Sequence, residues 1–106
     1  MAKYLLEARY TPTGAKGLAR VGGSARRAAV ARMIEGVGGK LEAFYFAFGD
    51  IDAYVVADLP DNASVAAMAL AVNQSGAATV KTIALLSPEE MDAASKKIVA
   101  YQSPTQ

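Results

Sequence analysis

The chain contains no cysteine, no histidine and no tryptophan. Without cysteine there is no disulfide framework, no thiolate nucleophile and no thiolate ligand for an iron–sulfur cluster. Without histidine the usual general base and the commonest metal ligand are missing, and a Ser-His-Asp triad cannot be built. Zinc sites of the ordinary kind are excluded on both counts. An excess of one charge is also lacking. Eleven Lys and Arg stand against ten Asp and Glu, a net charge of +1, which argues against a dedicated nucleic-acid binder. Long apolar runs are missing too. The longest, Val65–Val72, has eight residues, whereas a bilayer needs about 20. No membrane partner is therefore expected. The opening MAKYLLEARY carries Lys3, Glu7 and Arg9 within its apolar stretch, unlike a signal peptide. A soluble, cytoplasmic protein is the expectation.

What is present is alanine, 23 times in 106 residues, and a regular alternation of elements. The length suits one domain, expected over residues 1–100, with a polar tail at 101–106. A domain this small buries only about 60–65% of its unfolded surface and gains by pairing with a second copy. Residues 3–10 read as a strand, and 11–23, with Pro12 and four glycines, as a loop with at most a helical turn at Lys16–Arg20. Ser24 is expected to cap a helix that ends at Gly38-Gly39. Residues 40–48 and 53–59 read as a hairpin around Gly49-Asp50-Ile51-Asp52. Asp61 or Asn62 opens a second helix to about Ser75, and residues 78–86 form a fourth strand. Ser87-Pro88-Glu89-Glu90 is a helix start with a capping box, and the helix runs to about Ile98.

The order β-α-β-β-α-β plus a C-terminal helix predicts an α+β, ferredoxin-like fold with an antiparallel sheet in the order 4-1-3-2. Strict alternation along each strand then divides the side chains between two faces. One face collects Ala and medium apolar residues, among them Tyr4, Leu6, Val55 and Leu59. The other collects Glu7, Arg9, Glu42, Asp58 and Lys81 together with Phe44, Phe46, Phe48, Tyr54, Val56, Ile83 and Leu85. So many large apolar groups are poorly suited to water, and so many charges to a dry core. Such a face suits sheet-against-sheet association of two copies, the commonest homo-oligomer solution.

The stretch Phe48-Gly49-Asp50-Ile51-Asp52, the strand AYVVADLPD, the run GGKLEAFYFAFG, GGSARRAAV and the closing SPEEM together resemble the GYD-domain family over residues 1–100. The resemblance implies a dimeric α/β barrel, often in higher oligomers, and no particular activity. Related barrel families include cofactor-free monooxygenases, lactone isomerases and haem-dependent enzymes, an analogy of fold alone. The sequence departs from the family at Ile51, where Tyr is more frequent. Any role of that Tyr would pass to Tyr45 or Tyr54.

Two functional readings follow. In the first, the chain is an oligomeric small-ligand-binding or accessory protein, its ligand held in the barrel by Arg9, Glu42, Phe44, Phe46 and Lys81. Glu7, Phe48, Tyr54, Asp58, Ile83 and Leu85 then form the interface between protomers. In the alternative, the charged face serves a cofactor-independent oxygenase- or isomerase-like enzyme. No cofactor, metal or catalytic residue is assigned, and the expected partners are a second copy and a small molecule. The carboxylates of Asp50 and Asp52 read either as a cation or acid–base pair or as hairpin-turn residues. The segment TGAKGLARVGGSARR reads either as an anion site or as a flexible basic loop. Met33, Met68 and Met91 are expected to fill the core. Base stacking on the strand-two aromatics is disfavoured by the acidic and neutral flanks.

Overall fold

The computed structural model describes residues 1–105. Eight elements follow one another: β1 (Ala2–Tyr10), α1 (Pro12–Val21), α2 (Gly23–Gly36), β2 (Lys40–Phe46), β3 (Ala53–Leu59), α3 (Asn62–Gln74), β4 (Ala78–Leu85) and α4 (Pro88–Ser95). The four strands form one antiparallel sheet in the order β2-β3-β1-β4. This is the expected order 4-1-3-2 read from its other edge, and the fold is ferredoxin-like α+β. Helices α2 and α3 cover one face. Their stripes Val30, Ile34 and Val65, Met68 close on Tyr4, Leu6, Val55, Ala57 and Leu59 of the sheet, all buried. The one polar tip in this core, the Tyr4 hydroxyl, donates to Asn62 Oδ1 at 2.7 Å, as a buried phenol requires.

The helix starts follow local chemistry. Asp61 accepts from the Ser64 backbone N–H at 2.7 Å, and that bond holds its carboxyl below the ordinary 3.8. Ser87 and Glu90 form the reciprocal capping box with Pro88 at the first turn, as the sequence predicts. Two expectations fail between residues 11 and 24. The expected loop is helix α1, and Ser24 lies inside α2 rather than capping it. Thr11 caps α1 by accepting from the Gly14 N–H, and its hydroxyl donates to the Gly76 carbonyl at 2.7 Å. Two of the four glycines that argued for a loop, Gly14 and Gly17, lie inside the helix, where packing overrides propensity. The chain then turns at Gly22, whose φ of +85° admits glycine readily, so α2 begins before Ser24.

The two ends also differ from expectation. Strand β2 stops at Phe46 rather than Phe48, and α4 stops at Ser95 rather than Ile98. Helix α4 has no buried residue. Met91 is accordingly exposed, whereas Met68 is buried and Met33 packs against the core.

Candidate functional site

Among the described residues no element covers the face of the sheet away from α2 and α3, and the strand register lays it out in rows. Lys40, Asp58, Lys3 and Leu85 form one row across the four strands, followed by Ala43, Val56, Leu5 and Ile83, and then by Tyr45, Tyr54, Glu7 and Lys81. Arg9 and Thr79 pair beyond them on β1 and β4. The expected interface residues Glu7, Tyr54, Asp58, Ile83 and Leu85 therefore do share this open face. Phe48 does not join it: it lies in the β2–β3 connection and is fully exposed.

The principal correction concerns β2. Leu41 pairs with Ala57 but Ala43 pairs with Val56, so Glu42 is an extra residue in a β-bulge. A bulge reverses the alternation beyond it. Phe44 and Phe46, opposite Val55 and Ala53, thus turn to the helix side. Phe44 packs against the core, the two rings meet edge to face at 5.0 Å, and Phe46 lies beneath Gly23 of α2. They do not stand beside Arg9 and Lys81 on the charged face. Tyr45 and Tyr54 take the aromatic positions there instead. The sequence does hold a sign of this shift. Leu41, Phe44 and Phe46 can all point inward only if one extra residue lies between 41 and 44.

Glu42 is also separated from the other expected ligand residues. At its bulge it accepts from Lys3, whose ammonium donates to Asp58 Oδ1 at 2.9 Å as well. The hydrogen bond to Glu42, and then that to Asp58, raise the Lys3 pKa above its ordinary 10.5. A raised ammonium pKa adds stability that is complete below the unfolded value and lost as pH rises through the folded one. With the Lys3 ammonium well exposed to solvent, the effect is small. Lys3→Met is expected to flatten the fall of Tm above about pH 10.5 relative to the parent chain. An unchanged alkaline limb would show that the triad adds nothing to stability.

Arg9 and Lys81 do come together. With Glu7, Asp50, Ile51 and Thr79 they line an open cavity of about 430 Å³ at one end of the open face. Among the described residues every ion pair belongs to Lys3, so the two cations of this cavity are unpaired. Arg9, Asp50 and Lys81 are exposed and Glu7 is half-buried. The turn carboxylates divide their work. Asp52 accepts from the Tyr10 N–H at 2.8 Å, while its own N–H donates to the Ala8 carbonyl at 2.9 Å. It is a structural tie between the connection and the end of β1. Asp50 is the carboxylate left facing the cavity. No cluster of acidic residues suited to a metal ion occurs among the described residues, and no helix among them is long and apolar enough to cross a membrane.

A family model described as GYD domain matches residues 4–95. No curated protein and no solved structure matches the chain. The matched span runs from β1 through the end of α4 and takes in the bulged strand, the connection and the Arg9–Lys81 cavity. The chain belongs to the GYD-domain family.

Proposed function

We propose that the protein is a self-associating small-molecule-binding domain. Two copies stack open sheet face to open sheet face, and the Arg9–Lys81 end of that face holds an anionic or carbonyl-bearing ligand. The observation that carries this reading is the uncovered face itself. An apolar row, Ala43–Val56–Leu5–Ile83, crosses all four strands, flanked by Tyr54 and by Tyr45, which is 72% exposed. A contiguous apolar band bordered by charges is the composition of a protein interface rather than of a free surface. Stacking would also roof the open cavity and leave Arg9 and Lys81 as its donors, with Tyr45 and Tyr54 as the nearest aromatic walls. Binding is favoured over the oxygenase- or isomerase-like alternative by the exposure of Arg9, Asp50 and Lys81. A catalytic acid or base at neutral pH ordinarily needs burial to tune it.

Light scattering on the purified chain tests the association. The expected mass is twice 11.0 kDa or a higher even multiple. Val56→Lys, which places a charge in the centre of the apolar row, is expected to return the monomer while leaving the helix-side core intact. A monomer from the parent chain at micromolar concentration overturns the proposal.

A further inference from the structure

Helix α1 and the first turn of α2 border a second, open concavity on the helix side of the sheet, of about 250 Å³. Its charge differs in kind from that of the Arg9–Lys81 cavity, where two acids face two bases. Arg20 and Arg26 are its charged residues, and no Asp or Glu lines it. Neither arginine belongs to an ion pair among the described residues.

Three further observations bear on what this concavity takes. The first is Arg26 Nε, buried with no hydrogen-bond acceptor. A buried N–H without a partner is rare in folded proteins and points to a missing acceptor. The guanidinium carbon lies 5.9 Å from the Tyr10 ring centroid, within reach of a cation–π contact that sets its position. The second is Gly17. Glycine inside a helix costs stability, and Gly14 has a packing reason for bearing that cost, because a Cβ there would overlap the Ala77 carbonyl. Gly17 has none. A Cβ at Gly17 meets no atom within 4 Å, and the residue lines the cavity. The third is the remaining wall, where Leu18 and Val21 are apolar and Thr13 offers a hydroxyl. The volume falls below the ~300–1,000 Å³ usual for drug-sized ligands.

We propose that this cavity binds the carboxylate of a small organic acid. The planar Arg26 fork takes the oxyanion, as guanidinium groups do with carboxylates. Arg20 adds long-range attraction, and Tyr10, Leu18 and the open space over Gly17 receive the apolar body. The site is independent of the sheet-face cavity and of self-association.

Titration with benzoate, followed by the amide signals of the ¹⁵N-labelled chain, tests the assignment. Saturable shifts are expected at Gly17 and Arg26. Arg26→Met should weaken benzoate binding about tenfold or more, the loss of one charge-assisted contact. Gly17→Leu should do the same by filling the space. Because leucine is a good helix former, this second variant guards against a loss that merely reports unfolding. Arg27→Met, on the exposed side of α2, should leave the affinity unchanged. No saturable shift with millimolar benzoate overturns the proposal. So does Arg26→Met binding like the parent chain, or loss of binding on Arg27→Met instead. Inorganic phosphate binding as tightly as benzoate overturns it too, since the apolar walls would then contribute nothing.

Discussion

Cutting Ile34 back to alanine is expected to cost about 2–5 kcal/mol, read from urea midpoints at constant m. Ile34 and Leu59 are the two largest side chains with no solvent contact, so neither site can collapse cheaply around a hole. For a domain whose whole stability is of order 5–15 kcal/mol, this is a substantial fraction. The same point is sensitive to excess volume. A Cβ on Gly39 would lie 2.6 Å from the Asp58 carbonyl oxygen, 2.7 Å from Leu59 Cδ2 and 3.0 Å from Ile34 Cγ2. Gly39→Ala should therefore destabilise by about 1–3 kcal/mol through overpacking. The two substitutions should not add, because removing Cγ2 relieves one of the three clashes. Leu70→Ala, on the exposed side of α3, serves as the control and should stay within about 0.5 kcal/mol. An Ile34→Ala variant as stable as that control would mean that the α2–sheet contact is not the core.

The sheet was legible in the sequence because its signals are local. Alternation marked the strands, Asp61 and Ser87 marked helix starts, and right-handed crossovers left one strand order. Helix α1 was not legible, because the reason for it lies elsewhere in the chain. Thr11 and Gly14 meet Gly76 and Ala77, more than 60 residues away, and their bonds and close approach fix a helix that local propensity disfavours. Gly14, which marks a loop to a sequence reader, is the residue that lets this helix dock.

The site was legible in part for a related reason. Arg9 and Lys81 lie on the expected face because β1 and β4 pair without irregularity, so parity carries across them. Phe44 and Phe46 were placed on the wrong face because parity fails at Glu42. One inserted residue moved two aromatic rings from the open face to the helix side and brought Tyr45 and Tyr54 to the charged face in their place. It also turned Glu42 toward Lys3 and Asp58, so a residue expected beside the ligand serves an ion triad at the opposite end of the sheet. The expected interface residues on β1, β3 and β4 kept their face because the bulge lies on β2 alone.

Helix α1 allows a test in which two neighbouring glycines should respond with opposite sign. Glycine to alanine inside a helix ordinarily stabilises by up to about 1 kcal/mol, and Gly17→Ala should do so, since its Cβ enters open space. Gly14→Ala should destabilise by about 1–3 kcal/mol instead, because the new methyl overlaps the Ala77 carbonyl. That oxygen cannot retreat freely. It accepts from the Thr11 N–H at 3.0 Å and from the Thr11 hydroxyl at 3.2 Å, and the adjacent Gly76 carbonyl is held by the same hydroxyl. Relief of the clash must therefore loosen the joint between the start of α1 and the start of β4. Since α1 and Ala77 also form walls of the Arg26 cavity, Gly14→Ala should weaken benzoate binding along with stability. Gly17→Ala should weaken it without loss of stability, because its methyl occupies space the acid would use. Urea denaturation and benzoate titration of the two variants read both effects. Equal, stabilising shifts at 14 and 17 would show that α1 does not pack against Ala77 in solution, and the Arg26 cavity would then lose one of its walls.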